Sequence, residues 1–147
     1  MASKSKVELK LGRQLMGDGL RSIIRAMEQR GNSLEDITPA IAQLLVSAVE
    51  DVFESEGFGS WPDLAPATIR ARRGTNAKIL QDTGNLAGSI QPRSGSRVAE
   101  AFTRVPYAKF HVSDAPRNVI PKRDFLAIKF KDVTSQAAQI LLREVLK

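Results

Sequence analysis

The stretch from Ile37 to Phe53 limits the fold more than any other part of the chain. Ile37, Ile41, Leu44, Leu45, Ala48, Val49, Val52 and Phe53 recur at intervals of three and four, the spacing that lines up one broad face of an α-helix. Such a face has to be buried against other elements. Thr38 followed by Pro39 suits the start of this helix, with Ser33 as an alternative, earlier cap. Gly57, Gly59 and Pro62 stop it. Gln43, Ser47, Glu50 and Asp51 interrupt the apolar run, which is not the pattern of a membrane span.

The flanking text supplies what that helix packs on. Val7, Leu9 and Leu11 alternate with polar residues, predicting a strand or arm within residues 1–16. Leu20, Ile23, Ile24 and Met27 fall at helical spacing, with Asp18 as N-cap and Gly31 just past the end, so residues 17–57 read as helices. An irregular, tryptophan-anchored segment follows over 58–85. The period then shortens: "LAGSIQPR", "SRVAEAFTRV" and "YAKFHV" are short β-prone runs, predicting an antiparallel sheet and a loop over 86–131. The opening "MASKSKVELK" is basic with no apolar run behind it, unlike a secretory signal. A last helix within 132–147, from about Ser135, offers Ala138, Leu141, Leu142 and Val145 to the core. At 147 residues one domain is expected: an α+β fold with N-terminal helices packed on a small antiparallel sheet, and a C-terminal helix.

Charge is unevenly distributed. The formal charge is +6, yet residues 31–64 hold seven acids and no Lys or Arg, while 65–131 hold thirteen basic and four acidic residues. Either the two signs meet within one fold, or they meet between neighbouring copies in a head-to-tail assembly.

Groups for catalysis are scarce. Cysteine is absent and His111 is the single histidine, which leaves no thiol nucleophile and no thiolate metal site. No nucleophile elbow and no phosphate-binding P-loop occurs. Glu50, Asp51, Glu54 and Glu56 cluster on the second helix without a histidine nearby, and read as a solvated acidic face rather than a metal site. Neither metal nor cofactor is expected. Arg70, Arg72, Arg73 and Lys78 form a basic cluster able to neutralise phosphates. Aromatic residues make up only 5% of the chain, and none interleaves with this cluster as a base-stacking platform would. A protein-facing patch is one reading of it; a small basic nucleic-acid-binding protein is the alternative.

The irregular segment has a physical logic. Trp61 follows two glycines, so the chain can fold back and lay the indole on the helix just completed. Leu64 follows inward, "LAPATIRAR" reads as a short helix with Pro66 in its first turn and Ile69 toward the core, and Ile79 and Leu80 insert next. The chain then turns at Thr83-Gly84 and re-enters through Leu86 and Ile90.

These words also match a known pattern. Trp61-x-x-Leu64 with Thr68, then Leu80-x-x-Thr83-Gly84-x-Leu86, then Tyr107-Ala108-x-x-His111, then Pro121-x-Arg123-x-Phe125-Leu126 closely resembles the phage virion morphogenesis family of tail completion proteins. The resemblance covers roughly residues 34–130. It departs from the family where Val112-Ser113 stands in place of a Gln-x-Gly, and where Lys122 replaces a small residue. It implies a structural, non-enzymatic protein of tailed bacteriophages or their prophage remnants, placed at the head-proximal end of the tail or the head–tail joint. It further implies assembly as a homo-oligomeric ring, formed in the host cytoplasm, with neck, connector or tail-tube proteins as partners. Contact with packaged DNA is compatible with it, and a membrane is not involved. In that setting the acidic helix of one copy would face the basic loops of the next, with Arg123 pairing an acid and Phe125 and Leu126 anchoring their loop.

Overall fold

The helix expected from the Ile37–Phe53 periodicity forms as α2, Thr38–Glu54, and it is the centre of the molecule. The computed structural model describes residues 6–10, 18–72, 78–81, 84–112 and 121–146. Ile41, Ala42, Leu45, Val46, Val49, Val52 and Phe53 of α2 are all buried, more than one neighbour could cover. On one side α2 lies on a three-stranded antiparallel sheet, and on the other it meets the C-terminal helix α5, Phe130–Val145. Helix α1, Asp18–Gln29, packs against α5 and contributes Ile24 and Met27 to the same core. The fold is α+β.

The sheet has the order β1–β3–β2, built from Lys6–Lys10, Val98–Phe102 and Gln91–Ser94. The middle strand pairs Lys6 with Phe102 on one edge and Gln91 with Phe102 on the other. Ala99 and Ala101 point to α2 and are fully buried; side chains this small let the helix lie close to the strand. The opposite face carries Glu100, 7% exposed. Its carboxylate accepts from Lys6 Nζ at 2.8 Å and Arg93 Nε at 2.5 Å, so a nearly buried charge is paired as it must be. Phe102 beside it lies under the guanidinium of Arg93, 4.4 Å from the ring centroid. Pro92 sits on an edge strand, where a missing N–H costs no ladder bond.

Several expectations are corrected. The run "YAKFHV" is not a strand: Ala108–Val112 forms a one-turn helix, α4, with Ala108 and Val112 buried one turn apart and Phe110 exposed. The sheet's third strand comes instead from Lys6–Lys10, the alternating run near the start of the chain. Asp18 is the first residue of α1 rather than its cap. Gly31, at φ +77°, does end that helix, with Asn32 N–H reaching Met27 C=O at 3.0 Å. Thr38 caps nothing. Its fully buried hydroxyl donates to Gly95 C=O at 2.6 Å, tying the start of α2 to the β2–β3 turn. Helix α5 starts at Phe130, ahead of Ser135, and its buried stripe is Val133, Ala137 and Leu141, while Leu142 is exposed. The residues expected around Thr83, Arg73 and Ile120, and much of the arm over 1–16, lie outside the described residues.

Candidate functional site

Helix α2 does not simply end; it unwinds through a left-handed turn. Glu56, Gly57, Phe58 and Gly59 have φ of 52°, 69°, 56° and 80°. Gly57 N–H bonds Val52 C=O at 2.8 Å and Glu56 N–H bonds Phe53 C=O at 3.2 Å, closing the helix end. The turn sends the chain back so that Trp61 lies on α2 as its sequence suggests. The indole packs directly over Gly57 and meets Phe53 edge-on, with centroids 6.1 Å apart. Phe125, fully buried, stacks on Phe53 with centroids 5.2 Å apart. Leu126 is buried next to it, and Pro121 is half-buried.

From this aromatic stack the segment runs through Leu64 into α3, Pro66–Arg70. No residue of α3 is buried, and Ile69, expected in the core, is 55% exposed. The helix instead places Thr68 and the following Arg72 along the wall of a 510 Å³ cavity. Leu80, Gly84, Asn85 and Leu86 form another part of the wall, Tyr107 just before α4 and His111 within it a third, and Arg123 a fourth. Leu80 holds φ +62° and Gly84 φ +75°, both in the left-handed region. Asn85 Nδ2 donates to Tyr107 Oη at 3.2 Å, and Tyr107 meets the His111 ring edge-on. The four separate sequence words thus converge on one cavity and the aromatic stack beside it.

Arg123 joins the two. It is 6% exposed, and among the described residues it pairs no acid, where the sequence suggests one. Its Nη2 donates to Pro62 C=O at 2.8 Å and its Nε to the same oxygen at 3.3 Å, with Asp63 C=O at 3.4 Å from Nη2. Its backbone N–H bonds His111 C=O at 2.9 Å. Burial first, and then the positive charge of Arg72, hold the guanidinium below its ordinary pKa; it remains a cation because arginine starts so high.

The acidic and basic candidates are sorted by the fold. Glu54 and Lys78 pair with each other at 2.6 Å, and Lys78 also donates to Glu54 C=O at the end of α2. Glu56 accepts the Ile79 N–H at 2.8 Å. Part of the charge contrast between the two halves is therefore spent within the chain. Glu50 and Asp51 stay exposed on α2 and belong to none of the ion pairs among the described residues. Arg70 is exposed at the end of α3, whereas Arg72 is half-buried in the cavity. A second cavity, also 510 Å³, separates α2 from α5 and is bordered by Asp51, Glu54, Asp132, Phe58 and Lys129, the last 4.5 Å above the Phe58 ring.

Among the described residues no three His, Cys, Asp or Glu side chains come together to hold a metal ion, and no helix is long and apolar enough to cross a membrane. Sequence reasoning missed Asn85, the unnamed position in Thr-Gly-x-Leu, and the backbone role of Glu56. Neither carries a sequence signal, because each acts through a partner more than twenty residues away. Comparison with protein families, with curated proteins and with solved structures returns no match.

Proposed function

We propose that the chain is a structural protein of a tailed-phage virion that acts in tail completion or head–tail joining by assembling into a ring. One observation carries the reading. The four short words that resemble the virion morphogenesis family lie far apart in sequence, yet Leu64, Thr68, Leu80, Gly84, Leu86, Tyr107, His111 and Arg123 line one cavity. Words that matched by chance would have no reason to share a wall. The exposed acids Glu50 and Asp51 on one element, and a basic remainder elsewhere, suit contacts between unlike surfaces of identical copies. The nucleic-acid alternative loses support from the geometry of its cluster: Lys78 is on Glu54 and Arg72 lines the cavity, leaving Arg70 of the described members on the surface.

The test is native mass by light scattering at low and moderate salt, with and without duplex DNA. A discrete oligomer that forms without DNA is the expected result. Complexes that need DNA and dissolve steeply with salt would replace this reading with the nucleic-acid one.

A further inference from the structure

Helix α3 gains little from its own chain. It has five residues, no side-chain cap and nothing buried, and a single turn of that kind is marginal in water. Thr68 lines the motif-bearing cavity of its own chain. Pro66, Ile69 and Arg70, three and four positions apart, fall on the other side of the turn. All three are exposed, Ile69 by 55%, and Arg70 belongs to none of the ion pairs among the described residues. That face is an aliphatic ridge with a cation at its edge.

The groove between α2 and α5 has the complementary character. Half-buried Leu44 and Ala48 give it an apolar floor, and exposed Phe58 stands at one end. Phe58 holds φ +56°, rare for a bulky residue, with its N–H on Ser55 Oγ at 3.0 Å. Strain of this kind is retained where a side chain has to be presented. Of the charged groups in the groove, Glu54 is held by Lys78, and Lys129 lies over the Phe58 ring. Asp51 of α2 and Asp132 of α5 are exposed and outside the ion pairs among the described residues. Among the described residues that border the groove, none belongs to α3.

One chain thus carries both halves of a contact that it does not make with itself. We propose that α3 of a second copy seats in the α2–α5 groove, with Ile69 against Leu44, Ala48 and Phe58 and with Arg70 between Asp51 and Asp132. The choice of occupant rests on charge complementarity: a cation beside an exposed aliphatic side chain meets two carboxylates above an apolar floor. The two surfaces share no residue, so the contact is head-to-tail and repeats around a ring when the rotation closes. The inference rests on the self-assembly reading above, and names the contact that would produce it.

The experiment is sedimentation velocity on the full chain over a concentration series. It compares the wild type with Arg70→Glu, with Ile69→Ser, with the double substitution Asp51→Lys and Asp132→Lys, and with an equimolar mixture of Arg70→Glu and the double variant. Each charge variant alone should associate about 30-fold more weakly than the wild type or worse, because like charges then meet. Ile69→Ser should associate about 10-fold more weakly through lost apolar burial. The mixture should recover association, since the reversed acids of one variant face the reversed cation of the other. Arg25→Glu on the exposed side of α1 changes net charge equally and should leave association unchanged. Circular dichroism melts show whether each variant folds; if the lysine variant melts early, Asp51→Asn with Asp132→Asn replaces it and is read alone. Folded variants that assemble like the wild type would overturn the α3 contact while leaving self-assembly standing. A mixture that stays dissociated, or an Arg25→Glu variant as weak as Arg70→Glu, would also overturn it. A wild type that is monomeric at every concentration would remove both the contact and the self-assembly reading.

Discussion

Replacing Gly57 by alanine tests the turn that aims the whole irregular segment. Gly57 has φ +69°, a conformation that costs an L-residue about 1–2 kcal/mol. Its missing side chain also makes room for Trp61: a methyl group here would land on the pyrrole edge of the indole, against Cγ, Cδ1 and Nε1. The ring cannot simply withdraw, since Trp61 is 8% exposed and already edge-on to Phe53. Forcing it outward is overpacking, at about 1–3 kcal/mol, so Gly57→Ala should lose roughly 2–5 kcal/mol in total. Gly59 provides the control. It has φ +80° but faces open space, so Gly59→Ala should lose only the backbone part, about 1–2 kcal/mol. The assay is urea unfolding followed by circular dichroism and by the fluorescence of the single tryptophan. A double-mutant cycle of Gly57→Ala with Trp61→Phe, read by circular dichroism, should show favourable coupling because the smaller ring makes room for the methyl. Equal losses at positions 57 and 59, or no coupling to position 61, would refute the argument that the indole rests on this glycine.

Two further outcomes follow from single side chains. Arg123→Lys keeps the charge but gives up the planar fork that reaches Pro62 and Asp63; a loss of about 2 kcal/mol is expected in chemical unfolding, and a melt unchanged within error would show that the fork holds nothing together. Thr38→Val preserves shape while removing the hydroxyl that bonds Gly95 C=O at 2.6 Å; it should lose about 1–2 kcal/mol through the abandoned carbonyl, and a variant as stable as the wild type would mean that water serves that carbonyl equally well.

What could be read from the sequence was what is local. The 37–53 periodicity, the glycine ending α1 and the return of Trp61 onto α2 each depend on residues within a few turns of one another. The strand expected over "YAKFHV" failed because a run of this length fits both periods: Ala108 and Val112 are as natural one helical turn apart as on one strand face. Ile69 failed for the same reason, since one turn of helix offers too few positions to show which face is wet. The partners of Arg123 were not legible because carbonyl oxygens are present at every residue and leave no trace in composition. The left-handed φ of Glu56 and Phe58 was equally hidden, because neither is the glycine that normally signals it.

Charge segregation in this chain admitted two explanations, a pattern satisfied within one fold or one satisfied between copies, and the structure shows part of it satisfied within the fold. The acids beyond the middle of the last turn of α2 act at home: Glu54 holds Lys78, and Glu56 holds the backbone of Ile79. Together they bring the chain after the basic stretch back to the helix it left, which closes one side of the cavity that Leu80 and Leu86 complete. One turn earlier, Glu50 and Asp51 have no such duty. An exposed ion pair such as Glu54–Lys78 adds little stability by itself, on the order of 1 kcal/mol or less, so its consequence is positional rather than energetic. Glu54 and Glu56 thus act within the chain, while Glu50 and Asp51 stay exposed on α2 and outside the ion pairs among the described residues.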